Sequence, residues 1–242
     1  MPSPTPSSNA VLHYVALGDS WVQGNHCGGC RTFAGRYATG IEALSGRTVE
    51  FRDLTGDRTT HSGALLGSLH SDAEIRSAVA IADVVMIATG PNEMGQAVDP
   101  YAAGTCGGAD GYDCIRELGQ LWAVNFDAAL TEIEALREGK PTAIRLVNAA
   151  NPFISDPGMI TELGLTEDFT FTGGNLLVEL LTTAICDAAL EHGAECVDVR
   201  PIINGPNLDH PGDENSITNM QAIADALSAT GLPELGYPPP TQ

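Results

Sequence analysis

The sequence predicts an α/β fold built on a parallel five-stranded sheet, and three observations carry that reading. Five short apolar runs recur along the chain with helix-length stretches between them. One run, "DVVMIAT" (Asp83–Thr89), is apolar almost throughout, as a strand covered on both faces has to be. Strands that alternate with helices run parallel and carry crossover helices on both faces of the sheet.

The strands are expected at Val11–Leu17, Thr48–Leu54, Asp83–Thr89, Thr142–Ala149 and Glu195–Arg200. The clearest helix lies between the third and fourth strands. There Ile115, Leu118, Trp122, Phe126, Ala129, Ile133 and Leu136 recur at spacings of three and four, and Gly139 ends the pattern. A second helix is expected from Asn175 to His192, capped by Gly193, and a third over "MQAIADALSATG" (Met220–Gly231). These apolar stripes read as core faces. No internal repeat is visible. The organisation expected is a disordered Pro/Ser linker over 1–10, one domain over 11–232 and a Pro-rich tail over 233–242.

Composition narrows the partners. The 242 residues are 43% hydrophobic, enough for a sizeable core. Thirty-one acids against eleven Lys and Arg give a net charge of −20, and Lys140 is the one lysine. Nucleic acid and anionic membrane surfaces need clustered cations, so neither is an expected partner. The charge reads as an acidic, solvated surface. No apolar run reaches the roughly 18 residues of a membrane span; the longest candidate, "VAIADVVMIATG", is interrupted by Asp83.

Six cysteines fall in three close pairs: Cys27 with Cys30, Cys106 with Cys114, and Cys186 with Cys196. That pattern predicts three local disulfides and an oxidising compartment. A redox dithiol, or half of a zinc site with His26, are the other readings of Cys27-Gly-Gly-Cys30. No second CxxC or spaced His pair accompanies it, so no metal is expected. The start, "MPSPTPSSNA", has no signal pattern and reads as a linker beyond a signal peptide already removed. Secretion is therefore inferred from the cysteines.

Ligands of open parallel sheets bind outside the carboxyl ends of the strands. Strand one is followed by Gly18-Asp19-Ser20, strand two by Thr55-Gly56-Asp57-Arg58-Thr59-Thr60, and strand three by Gly90-Pro91-Asn92-Glu93. Strand five is followed, after a loop, by Asp209-His210-Pro211. A serine, a glycine amide, an asparagine amide and a histidine on one edge are the parts of a hydrolytic site.

"YVALGDS" (Tyr14–Ser20), "TGDRTTHSGALL" (Thr55–Leu66) and "GPNE" (Gly90–Glu93) resemble the first three sequence blocks of the GDSL, or SGNH, hydrolases. "MQAIADAL" is similar to the helix that ends the family's last block, so the resemblance spans Val11 to Leu227. The opening block and the paired cysteines resemble the secreted actinobacterial-type esterases and lipases of that family. The resemblance implies a three-layer α/β/α, flavodoxin-like fold. It implies Ser20 as nucleophile on a carboxylic ester, and the Ser20 amide, the Gly56 amide and the Asn92 side chain as the oxyanion hole. His210 would be the base. No cofactor is implied. The substrate would be a small-molecule, lipid or carbohydrate ester, and the protein a monomer. Asp19 reads as structural, and His13, His61, His70 and His192 likewise.

The last block departs from the family. Its usual Asp-x-x-His would put an acid where Asn207 stands, and Asp209, adjacent to His210, is the remaining candidate to orient the base. The family's closing helix segment follows the histidine after about nine residues, whereas Ile223 is thirteen beyond His210. Either "GDENSITN" (Gly212–Asn219) holds an insertion or the family's histidine is missing. A carbohydrate acetyl esterase, with a more open and polar cleft, and a non-catalytic binding module of the same fold therefore remain as alternatives. The long segments Gly95–Cys114 and Asn151–Gly174 are expected to line the pocket.

Overall fold

The computed structural model describes residues 11–24 and 29–240. The expected linker over 1–10 and Cys27 lie outside them. Five parallel strands form one sheet: β1 (Leu12–Gly18), β2 (Val49–Asp53), β3 (Val84–Ala88), β4 (Ala143–Val147) and β5 (Glu195–Val197), in the order β2-β1-β3-β4-β5. All five match the runs expected from the sequence, with ends differing by at most three residues: β1 runs one residue past its expected end, to Gly18, and β5 stops three residues early. The order reverses between β1 and β3, the crevice where a doubly wound sheet takes its ligand. Gly18 is paired with Ala88 across it, so the loops after β1 and β3 leave the sheet side by side.

The helices follow in chain order. They are α1 (Ser20–Gln23), α2 (Phe33–Ser45), α3 (Ser62–Ser71), α4 (Ala73–Ile81), α5 (Gly95–Ala102) and α6 (Asp113–Arg137). Beyond β4 come α7 (Pro152–Ser155), α8 (Pro157–Glu162), α9 (Glu167–Phe171), α10 (Gly173–Glu191), α11 (Arg200–Ile203) and α12 (Ile217–Ala229).

Successive strand residues point to opposite faces, which divides the core in two. Tyr14, Ala16, Val84 and Met86 pack under α2 and α12, against Phe33, Tyr37, Ile41, Ile223 and Leu227. Val15, Leu17, Val85 and Ile87 pack against α3, α6 and α10, with Leu65, Trp122, Phe126, Leu181 and Ile185. Residues 167–191 are long and apolar enough by composition to cross a membrane, but over half of that stretch is buried in this second layer. The stripe read from Ile115 to Leu136 is the core face of α6, which ends at Glu138 (φ 53°) and Gly139 (φ 75°). Helix α12 starts three residues before its expected start, because Ser216 caps it by accepting the Asn219 N–H at 3.1 Å.

Two of the expected disulfides are present. Cys106–Cys114 closes a glycine-rich loop, with Cα atoms 4.9 Å apart. Cys186–Cys196 ties α10 to β5 at 5.1 Å. The expected Cys27–Cys30 pair involves a residue outside the described ones.

The packed chain runs on past residue 232, where the sequence reading ended the domain. Leu232 is fully buried and bridges to Tyr237. The reason is Arg145, a fully buried cation in the interior strand β4. Its guanidinium donates to both Glu234 carboxylate oxygens (2.9 and 3.1 Å), the Gly231 carbonyl (2.7 Å) and Thr230 Oγ1 (2.8 Å). A buried charge has to be paired, and its partner comes from the segment that composition alone marked as tail.

Candidate active site

The site begins at the carboxyl end of β1. Gly18 must be glycine there: a Cβ would stand 2.4 Å from the Ala88 carbonyl oxygen. Asp19 follows in extended backbone and caps α1, its Oδ1 accepting the Trp21 N–H at 3.0 Å. Ser20 is the first residue of α1, so its own N–H lies among the first-turn amides that have no intrahelical acceptor. Among the described residues no hydrogen bond engages Ser20 Oγ.

The loops after β2 and β3 are clamped to this turn. Thr59, fully buried, accepts the Gly18 N–H (3.1 Å) and donates to the Gly18 carbonyl (2.7 Å). Its own carbonyl accepts from Thr89 Oγ1 at 2.8 Å. Glu93, 2% exposed, accepts the Ser62 N–H (2.9 Å) and the Trp122 indole N–H (2.8 Å), so one carboxylate joins two loops and α6. Asn92 Nδ2 donates to Thr60 Oγ1 (3.0 Å) and to the Thr60 carbonyl (3.2 Å), which holds its amide beside the cavity described below.

Gly56 does not take the place expected of it. The backbone at Gly56 (φ 114°) turns its N–H back onto the Gly18 carbonyl, 2.7 Å away. The Gln23 side chain, donating to the Thr55 carbonyl at 2.9 Å, lies so close that a Cβ on Gly56 would meet its nitrogen at 2.4 Å. The Gly56 amide is thus committed to holding β1 and the second loop together.

Ser20 and Asn92 line one cavity of about 390 Å³. Its walls are mostly apolar. Gly95 and Val98 come from the first of the two long segments, and Pro152, Phe153, Met159 and Leu163 from the second. The titratable groups on its lining are Asp19 and Glu214.

His210 is not among the described residues that line the cavity holding Ser20. The loop after α11 turns through Gly205 (φ 74°) and Leu208 (φ 58°). Buried Asn204 then grips the His210 backbone on both sides: the His210 N–H donates to the Asn204 carbonyl (2.9 Å), and Asn204 Nδ2 donates to the His210 carbonyl (3.2 Å). His210 and Asp209 are both exposed and no hydrogen bond joins their side chains, so Asp209 orients no base here.

Glu214, four residues beyond His210, does line the cavity. The Trp21 indole N–H donates to the Glu214 carbonyl at 3.2 Å, which ties this residue to the helix that carries Ser20. The preceding Gly212 sits against the end of α11, where a Cβ would come 1.8 Å from the Ile203 carbonyl oxygen. Asp213 is fastened to α12, its carbonyl accepting from Asn219 Nδ2 at 2.8 Å. Burial pushes the Asp19 carboxyl up to about 6, against the hydrogen bonds it accepts from the backbone. Burial, helped by the negative charges of Asp19 and Asp213, pushes Glu214 up to about 7. Sequence reading passed over Glu214, Thr59 and Glu93. For Glu214 the spacing to Ile223 was the available signal.

No protein-family model matches the chain. No curated protein matches it. Solved structures do. The lipase Lip_vut3 from a goat rumen metagenome superposes with a TM-score of 0.63 at 22% identity, covering 94% of this chain and 98% of that one. An extracellular lipase from Streptomyces rimosus gives 0.57 at 17% identity, over 90% of this chain and 97% of that one. A phospholipase A1 from Streptomyces albidoflavus gives 0.57 at 14%, over 90% and 98%. The chain thus has the three-layer α/β/α fold of the SGNH, or GDSL, hydrolases, in agreement with the blocks around Ser20, Gly56 and Asn92.

Proposed function

We propose that the protein is a serine ester hydrolase in which Ser20 is the nucleophile. The observation that carries this reading is a serine hydroxyl, unbonded among the described residues, at the first turn of a helix, at the switch point of the sheet, on a cavity it shares with an asparagine amide. Ser20 Oγ attacks the carbonyl carbon, and the planar ester becomes a tetrahedral alkoxide. The Ser20 N–H and the Asn92 amide supply the charge-stabilising donors, Asn92 turning part of its hydrogen bonding from Thr60 to the new oxyanion. Collapse expels the alcohol and leaves an acyl-serine, which water then hydrolyses.

The cavity walls favour a carboxylic ester with an apolar acyl group. Val98, Phe153, Met159 and Leu163 offer a hydrocarbon chain a dry surface, whereas a carbohydrate acetyl esterase needs an open, polar cleft. The two disulfides support a secreted protein. A p-nitrophenyl ester series from acetate to decanoate tests the reading. We expect kcat/KM to rise with chain length until the cavity is filled. No turnover on any chain length would favour a binding module of the same fold.

A further inference from the structure

We infer that Glu214 is the general base that takes the Ser20 proton, an assignment that rests on the hydrolase reading above. A base has to reach the serine hydroxyl, directly at about 3 Å or through one water. Among the described residues, only Asp19 and Glu214 bring a carboxyl, imidazole or basic group to the lining of the cavity that holds Ser20. Asp19 is spent on the Trp21 N–H as the cap of α1, within the turn that precedes Ser20. Glu214 reaches the cavity from the loop before α12, a loop fixed by the Trp21 indole, the close approach of Gly212 to Ile203 and the Asp213–Asn219 bond. It also stands nine residues before Ile223, the distance at which the resemblance led one to look for the base.

The chemistry balances with no added partner. The Glu214 carboxylate takes the Ser20 Oγ proton as Oγ bonds to the ester carbon. The resulting carboxylic acid returns that proton to the departing alcohol oxygen as the C–O bond breaks. In deacylation the carboxylate takes a proton from water, the hydroxide adds to the acyl carbon, and the proton goes back to Ser20 as the acid is released. A carboxylate of ordinary basicity would hold the proton too weakly. The charged groups that face Glu214 are all acids: Asp19 from α1, Asp213 on its own loop, and Asp156, which lines the adjoining hollow with it. Among the described residues no basic side chain lines either hollow, and burial, with the negative charges of Asp19 and Asp213, raises the pKa of Glu214 to about 7.

The test uses the full chain, a p-nitrophenyl ester, a fluorophosphonate probe and a pH range of about 5 to 9. The wild type should show one basic limb in kcat/KM with an apparent pKa near 7. Glu214→Gln should lower kcat by roughly 10²–10⁴-fold, and Glu214→Asp by less. Asp19→Asn keeps the cap acceptor and removes a neighbouring charge, so it should move the limb to lower pH whether or not Glu214→Gln folds. An active wild type that dies with Ser20→Ala but survives Glu214→Gln, or whose activity is lost in His210→Ala with Glu214→Gln spared, overturns the base assignment alone. A limb unmoved by Asp19→Asn does the same. A wild type with neither turnover nor probe labelling overturns the hydrolase reading itself.

Discussion

Replacing Asp19 by Asn removes one buried charge and leaves its geometry in place, because the amide oxygen can still accept the Trp21 N–H. The carboxyl is 4% exposed and binds its proton with a pKa of about 6, against 3.8 in an open chain. Each pH unit of difference is worth about 1.4 kcal/mol, so the ionised form is less favourable in the folded protein by about 3 kcal/mol. The folded-state value is raised, which fixes the sign. The stabilisation is fully present below about pH 4, where both states hold the proton, and is lost as pH rises through 6. Glu214, raised to about 7, acts in the same direction. Relative to wild type, Asp19→Asn should therefore gain stability with pH: little difference at pH 4 and an advantage of about 3 kcal/mol at pH 8. Urea denaturation at intervals from pH 4 to 8 measures this, with the m-value checked for constancy. A difference that stays flat with pH, or a wild type that gains on the variant as pH rises, would refute the reasoning.

Other perturbations test the supports of the site. Glu234→Gln leaves the fully buried Arg145 without its counter-charge and should cost about 3 kcal/mol in denaturant, a loss under 1 kcal/mol contradicting the pairing. Thr59→Val strips the Gly18 N–H of its acceptor, at about 1–3 kcal/mol, and should lower kcat more than it raises KM because the Ser20 turn loosens. Removing the Cys186–Cys196 bridge with a double alanine variant frees a loop of about ten residues and should cost about 2–3 kcal/mol by the chain-entropy relation, read from the thermal midpoint.

The sheet was legible because each strand is a short apolar run and each long helix keeps an apolar stripe; both patterns are local and survive folding unchanged. The loops after β1 and β3 were legible for a related reason, since strand ends fix where Ser20 and Asn92 emerge. What the sequence did not reveal depends on pairing between distant segments. The tail belongs to the domain because Arg145 reaches Glu234, 89 residues away, and no local pattern records that. Gly56 looked like an oxyanion donor because a glycine after β2 leaves its amide accessible, yet that amide found the Gly18 carbonyl first. His210 attracted the base role by its place after the last strand and by the His-Pro pair that the family resemblance asks for. The loop around it is held by the backbone grip of Asn204, which position along the chain does not reveal.

The central claim is that Ser20 is a nucleophile on an ester carbonyl. Reaction of the full chain with a fluorophosphonate probe, followed by peptide mass spectrometry, tests it most directly. One modified residue, Ser20, is expected, in step with loss of p-nitrophenyl ester turnover, and a fall in turnover on the order of 10⁴–10⁶-fold in Ser20→Ala. Labelling at another residue, or a Ser20→Ala variant that turns over at near wild-type rate, would contradict it.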